Sequence, residues 1–524
     1  MSLGFTVRHS TYFDSVALMR VAEQARALAG VLEVAAVMGT PANRAMLAEA
    51  GMLPPDAPPT AASDLLVVVS ASTEEAVNAA LARVNDLLAA RRDATPEGRT
   101  VAVGSDGVAP RTLASAARGD GRANVAVIAV PGPHAALEAH QALSAGLHVF
   151  LFSDGVSLDD EIALKRRARA RGLFVMGPEC GTAIIRGVGL GFANRVRRGA
   201  IGVVGASGTG IQEVTTLVHR LGAGVSHAIG TGGRDLLAAV GGITTLQALE
   251  RLGADDETRV VVLVSKPSSR EVADRVLAAA SGLGKPVVAC LLGYDGVVPT
   301  GVRAAATLEE AAGVAVALAR GAPVAGGLEG ASLAAVAVAG NASTRGGRAR
   351  ARQGNQPSGA IRGLYSGGTL CDEARRLVGG TAHRFVDFGS DEYTRGRPHP
   401  IIDPSRRHAA ILEAADDPEV GVLLLDLVLG DCAHPDPAGA LDPVLTQAYD
   451  RGRRAGRELK VVAHVVGSDD DVQNLARQED TLRKRGVTVC ASNRVAALTA
   501  RRLIEGREAA PGGREAAPGD RDAG

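Results

Sequence analysis

Two short runs in this chain have the residue types and the spacing to hold an anion. In Gly205-Ala206-Ser207-Gly208-Thr209-Gly210 a glycine turn follows the apolar run Ile201–Val204. It precedes apolar residues at helical spacing: Ile211, Val214, Leu217, Val218 and Leu221. The order recurs at Ser366-Gly367-Gly368-Thr369, with Ile361–Tyr365 before it and Leu370–Val378 after it. A glycine loop joining a strand to a helix leaves unpaired N–H groups at the positive end of the helix dipole, a setting that suits phosphate. Either turn alone reads equally well as a tight strand-to-helix connection. The pair predicts two helix N-termini meeting across a pseudo-symmetric interface and gripping one anion. Ser207, Gly208, Thr209, Ser366, Gly367, Gly368 and Thr369 are therefore the expected phosphate-binding residues.

Phosphate held on a small molecule, as in an acyl or carbamoyl phosphate, calls for a cation or oriented donors where negative charge develops. Lys266 stands just past the apolar run Arg259–Val264, at the carboxyl edge of an expected parallel sheet, and is the candidate catalytic cation. A surface lysine at a strand end is the equally good plain reading. Glu179 and Cys180 follow a strand in M-G-P-E-C-G, and Arg234 and Asp235 follow the glycines of T-G-G-R-D. These four are substrate-contact candidates, against a turn with a buried thiol for the first pair and a mutual pair or helix cap for the second. The loop G-S-D-E-Y-T-R-G-R-P-H-P (389–400) gathers Asp391, Glu392, Arg395, Arg397 and His399, enough for a carboxylate substrate, although a solvated loop explains it as well. Asp431, His434 and Asp436 form D-x-x-H-x-D, but two prolines and no fourth ligand speak against metal, and no metal is expected. None of the 11 histidines sits in a motif that demands a general base.

The elements that must position these residues alternate regularly. Residues 1–98 read as a small α/β sandwich. From about 108, strands at 126–130, 148–152, 173–176, 200–204, 225–229, 259–264 and 286–291 alternate with helical patterns, which predicts parallel sheets covered on both faces. The 321–359 stretch is Gly/Ala/Arg-rich with R-G-G-R-A-R-A-R-Q-G, a solvated linker rather than an anion clamp. A further sheet follows over 360–506, and 507–524 is a degenerate repeat expected to be disordered. The fold class is thus α/β, with tandem Rossmann- and flavodoxin-like parallel sheets behind the N-terminal sandwich.

Bulk properties set the class of partner. The 524 residues suffice for roughly three to four domains. Lys+Arg and Asp+Glu are both 57, which points away from nucleic acid and membrane surfaces. The five cysteines are scattered, with no C-x-x-C, and the N-terminal stretch lacks a hydrophobic signal core. A cytoplasmic protein that takes a small anionic substrate follows.

In combination these motifs resemble a known family. M-G-P-E-C-G-T (176–182), G-A-S-G-T-G (205–210), I-G-T-G-G-R-D (229–235) and G-K-P-V-V-A-C (284–290) are similar, in order and spacing, to the α subunit of succinyl-CoA synthetase. Y-S-G-G-T-L, R-F-V-D-F-G-S and V-G-V-L-L-L-D-L-V-L-G resemble the C-terminal domain of its β subunit. That fusion behind a distinct N-terminal domain is the arrangement of the FdrA family. The resemblance implies a truncated CoA-binding-like Rossmann domain at 108–198, a synthetase α-type domain at 199–320 and a β-type domain at 360–506. It also implies phosphate held between the two glycine-led helices. Several parts of the synthetase are missing. The run L-L-G-Y-D-G-V-V-P-T-G-V-R-A-A-A has no histidine where the family carries its phosphohistidine. Lys266 stands where an acidic partner belongs, the leading CoA fingerprint is absent, and no ATP-grasp domain precedes the β-type domain. No cofactor is required by the sequence; phosphate or a carbamoyl or acyl phosphate is the expected ligand, and CoA a weaker one. FdrA proteins imply oxamate carbamoyl transfer with partner subunits, or a homo-oligomer. The alternatives are a subunit of an NDP-forming acyl-CoA synthetase and a non-catalytic anion-sensing scaffold.

Overall fold

The computed structural model describes residues 2–11, 13, 15–53, 57–61, 63–93, 112–120, 123–266, 269–322, 359–394 and 398–505. The linker with its arginine run and the C-terminal repeat fall outside them. Four sheets lie among the described residues.

The N-terminal sheet has the order Ser2–Arg8, Leu65–Ala71, Val31–Met38, with both outer strands antiparallel to the central one. The central strand, L-L-V-V-V-S-A, is buried along its whole length because both faces are covered. Leu65, Val67 and Val69 face helices Ser15–Arg26 and Glu74–Asp93, whereas Leu66 and Val68 pack with Leu47 and Met52. A short parallel sheet follows: Val125–Ile128, His148–Leu151 and Val175–Met176.

The next sheet departs from the expected all-parallel form. Its order is Val302–Ala304, Val287–Leu291, Val260–Ser265, Arg198–Gly205, Val225–Gly230, Thr182–Ile185, Val188–Gly191. The last two strands form a hairpin laid antiparallel on Val225–Gly230. So residues 182–191, ahead of the expected boundary at 198, belong to the sheet of the following domain. The hairpin turns at Arg186 and Gly187, both at positive φ (52° and 83°). The final sheet is fully parallel: Arg384–Asp387, Ala360–Tyr365, Val420–Val428, Lys460–Val466, Thr488–Cys490.

The two large sheets share one core. Ile211, Val214, Leu217 and Val218 of the first glycine-led helix (Gly208–Arg220) sit in the same apolar cluster as Leu370, Cys371, Ala374 and Val378 of the second (Gly368–Val378). Each buried Leu, Ile or Val contributes about 1.5–3 kcal/mol, so this contact is a core and not a surface encounter. Among the described residues no helix is long and apolar enough to cross a membrane.

Candidate functional site

The expected meeting of two helix starts is present. Ser207 adopts extended backbone and caps the first helix, its hydroxyl accepting the Gly210 N–H at 3.1 Å. Its hydroxyl also hydrogen-bonds the Thr369 hydroxyl on the opposite helix. Thr209 lies against Gly367 so closely that a methyl group there would stand 2.9 Å from Thr209 Cβ, Cγ2 and Oγ1. Reciprocally, Thr369 Cγ2 would be 3.1 Å from a methyl on Gly210. Only glycine allows this approach. The N–H groups of Gly208, Thr209, Gly368 and Thr369, at the first turn of each helix, find no acceptor among the described residues.

A single residue clasps both helices. Glu213 and Glu373 occupy the same place in their helices, five residues past Gly208 and Gly368. Glu213 Oε1 accepts the Asn493 main-chain N–H at 3.1 Å, and Glu373 Oε2 accepts its side-chain amide at 2.7 Å. Glu213 also pairs with buried His464 at 2.7 Å. Burial alone would push this carboxyl up, but the His464 pairing outweighs it and holds it below the usual range; His464 is held above its own. Glu373 has no ion-pair partner among the described residues, and burial lifts it to about 7.

The second turn is held from behind. Asp426 accepts the N–H groups of Ser366 (2.7 Å) and Gly367 (2.8 Å) and the guanidinium of Arg407 (2.8 Å). Arg407, itself buried, also donates to Ser366 Oγ at 2.7 Å. Ser366 is thereby committed to the scaffold, which leaves Gly368 and Thr369 to face the first helix.

Lys266 reaches across from the first half to the second. Its ammonium lies 2.9 Å from Asp372 and 3.5 Å from where a methyl on Gly368 would sit. The same methyl would collide with Asp387 Oδ2. Asp387 closes the strand beside Ala360–Tyr365, and burial raises its carboxyl to about 6. His399 completes the group: a methyl on Gly389 would lie 2.8 Å from His399 Nε2 and 3.2 Å from Asp387 Oδ1. Burial lowers His399 to about 4, so it is neutral near pH 7. Its Nδ1 accepts the Ile401 N–H at 3.3 Å, which leaves the proton on Nε2.

Other expected residues are placed differently. Asp235 pairs with buried Lys165 (2.7 Å) and accepts the N–H groups of Thr244 and Thr245, the start of helix Ile243–Ala254. Arg234 pairs with Glu161 at 2.9 Å and donates to Val156 O. These two residues bind the short parallel sheet to its neighbour and not each other. Cys180 is buried and its thiol is pushed up to about 12, so it is no thiolate nucleophile. Glu179, at φ 58°, is raised by burial against the pull of Arg234. The M-G-P-E-C-G-T run reaches the site at its end, where Thr182 Oγ1 would stand 3.3 Å from a methyl on Gly208. Asp391 and Glu392 are exposed, and Arg395 and Arg397 lie outside the described residues. Asp431, His434 and Asp436 diverge to Arg195, Glu23 and Arg477.

Asp387 was missed as a candidate because it enters from a neighbouring parallel strand, 18 residues after Thr369. The available signal was an acid closing a short strand two residues before a glycine.

Comparison with known proteins fits this geometry. Residues 364–503 match the CoA-ligase family and 196–290 the CoA binding domain, the segment that carries the first glycine turn. Residues 1–103 match the AllF, heavy metal-associated domain. "Uncharacterized protein YahF" of Escherichia coli (strain K12) is 38% identical over 535 aligned positions, covering 97% of this chain and 100% of that protein. The chain belongs to the YahF-like FdrA family. Within this FdrA chain, 202 aligned positions are 31% identical to "Succinate--CoA ligase [ADP-forming] subunit alpha 2" of Archaeoglobus fulgidus, covering 37% of the chain and 67% of that subunit. The apo acetyl-coenzyme A synthetase 1 of Ca. Korarchaeum cryptofilum aligns over 73% of this chain and 85% of its own, at 16% identity and TM-score 0.30. That last likeness is too distant to argue from. The fold is therefore succinyl-CoA synthetase-like, with CoA-binding and CoA-ligase domains.

The N-terminal family name implies a heavy-metal ion, and the residues do not fit one. Residues 1–103 contain no cysteine. The His9–Asp64 pair (3.2 Å) offers a carboxylate already engaged by the N–H groups of Ser10 and Ala61.

Proposed function

We propose that this FdrA-family chain holds the phosphate of a carbamoyl or acyl phosphate between its two glycine-led helices. It takes part in moving the acyl group between that phosphate and an acceptor, as in oxamate carbamoyl transfer. What supports the reading is the reciprocal contact of Thr209 with Gly367 and Thr369 with Gly210, which brings together four helix-start N–H groups that have no acceptor among the described residues. Two helix dipoles and the Lys266 ammonium then favour a dianion. The absence of histidine from 291–307 fits a reaction that passes through no phosphohistidine on that loop. His399, neutral with its proton on Nε2, serves as a donor in this scheme. Partner subunits, or further copies of the chain, would supply the acceptor site.

A second reading has its own support. The matches to CoA-binding and CoA-ligase families favour a subunit of an NDP-forming acyl-CoA synthetase, with CoA as acceptor and the nucleotide site on another chain.

Calorimetric titration of the protein with phosphate, carbamoyl phosphate, ATP and CoA, repeated on Ser207→Asp, separates these. Aspartate caps a helix as well as serine does, so the helix stands while its charge repels an anion. Binding of phosphate and carbamoyl phosphate, weakened at least about tenfold (about 1.4 kcal/mol) in the variant, supports the first reading. Tight CoA binding transfers support to the second. No anion binding at all overturns both.

A further inference from the structure

We propose that Asp387 is the group that exchanges a proton at the anion site, with Lys266 as the cation beside it. The proposal rests on the carbamoyl or acyl phosphate reading and assigns that site its acid–base residue. The geometry sets Asp387 apart from the other carboxyls near the second helix start. Asp426 is spent on two N–H groups and Arg407. Asp372 is paired with Lys266 and Arg375. Glu373 is buried behind the helix, held by Leu308 N–H and Asn493. Asp387 differs in that Oδ1 accepts one N–H, from Gly389 at 2.8 Å, while Oδ2 has no hydrogen-bond donor among the described residues. That second oxygen abuts Gly368, the first residue of the helix, where the open N–H groups begin.

The position ties protonation to occupancy. An ionised Asp387 repels an anion held at Gly368 and Thr369, whereas a protonated one donates a hydrogen bond to it. Anion entry therefore draws a proton onto Asp387. The charged and titratable groups facing it are Lys266, Asp372, Cys371, Asp426 and His399. Lys266 opposes protonation and the carboxylates favour it; burial sets the balance near pH 6, within reach of ordinary conditions.

The transfer step then balances. The acceptor N–H or S–H attacks the carbonyl carbon as the carbon–oxygen bond to phosphate breaks. Asp387, protonated on anion entry, gives that proton to the departing phosphate and takes up the acceptor's proton in its place, so the carboxyl ends as it began. Lys266 meets the charge on the phosphate oxygen as that bond breaks.

Sulfate, a tetrahedral dianion that does not titrate between pH 5 and 8, tests the linkage. Calorimetry at several pH values in two buffers of different ionisation enthalpy counts protons taken up on binding. The wild type should take up a proton fraction that is largest just above pH 6 and to bind sulfate more weakly as pH rises. Asp387→Asn keeps an acceptor for Gly389 N–H; it should bind sulfate with no uptake and at least about tenfold (about 1.4 kcal/mol) more tightly than wild type at pH 8. Equal proton uptake in the variant overturns the proposal while leaving the cradle standing. Absence of sulfate binding to the wild type at every pH removes the cradle reading itself, and this proposal with it. Where the chain transfers carbamoyl from carbamoyl phosphate to oxamate, Asp387→Asn should lose about 100-fold in kcat; an unchanged kcat also overturns the proposal.

Discussion

At the first glycine-led helix, Ser207 caps with its own hydroxyl and Glu213 is matched by His464. At the second, Gly367 has no side chain to cap with. Asp426 arrives from a neighbouring strand to take two N–H groups, and Glu373 lies buried with no ion-pair partner among the described residues. One motif is thus supported locally in one half and by remote, charged groups in the other. The difference teaches where the chemistry can be. The first helix is electrically settled, while the carboxyls that burial lifts to about 6 and about 7 both belong to the second half. Perturbed groups that cluster in this way are a mark of function, and the asymmetry agrees with the proposal that puts proton exchange in the second half.

The comparison can be broken by mutation. Asp426→Ala should cost most, about 3–5 kcal/mol, because it strands the buried Arg407 guanidinium. Urea denaturation followed by circular dichroism reads it; a loss no larger than that of Ser207→Ala would erase the distinction between local and remote support.

Gly367→Ala should come next, weakening phosphate binding about tenfold (about 1.4 kcal/mol), because its methyl drives into Thr209. Gly208→Ala, whose methyl meets Thr182 Oγ1 at 3.3 Å, should stay within about threefold. Titration calorimetry of the two alanine variants checks the pair.

The buried glutamates sharpen the contrast further. A raised carboxyl favours the folded state below its ordinary range and loses that contribution as pH rises through its folded value. For Glu373 the loss is complete above about pH 7. Glu213, held low, behaves oppositely and loses its contribution as pH falls. Between pH 5 and 8 the melting temperature of the wild type should therefore fall relative to Glu373→Gln. A parallel pair of melting curves would refute it. Ser207→Ala should have the smallest effect, about 1 kcal/mol, the ordinary worth of one cap.

Much of this was legible in the sequence because it is local. A glycine turn between a β-type apolar run and a helical one identifies itself within 20 residues or so, and both turns sit where they were expected. Lys266 was legible for the same reason, as a cation at the carboxyl end of a buried strand. The 182–191 hairpin was not: I-I-R-G-V-G-L-G is short and glycine-rich, and only its pairing with Val225–Gly230 makes it a sheet edge. Asp387 and His399 were not legible as partners because a neighbouring strand and a following loop bring them together; no spacing in the chain records that meeting. For Arg234 and Asp235 the partners, too, come from far along the chain. The buried Lys165, 70 residues upstream, engages Asp235, and Arg234 pairs with Glu161.

The Asn493 clasp has a consequence for how the molecule comes into being. Synthesis proceeds from the N-terminus, and the residue that ties the two glycine-led helices together lies 285 positions after Gly208. A nascent chain can complete the Gly208–Arg220 helix early, yet the facing helix is locked to it only after helix Asn493–Glu505 has left the ribosome. The paired glycine turns are therefore clasped only after nearly 300 further residues have been made, and a translation product that stops before Asn493 carries the first glycine turn without its clasped partner.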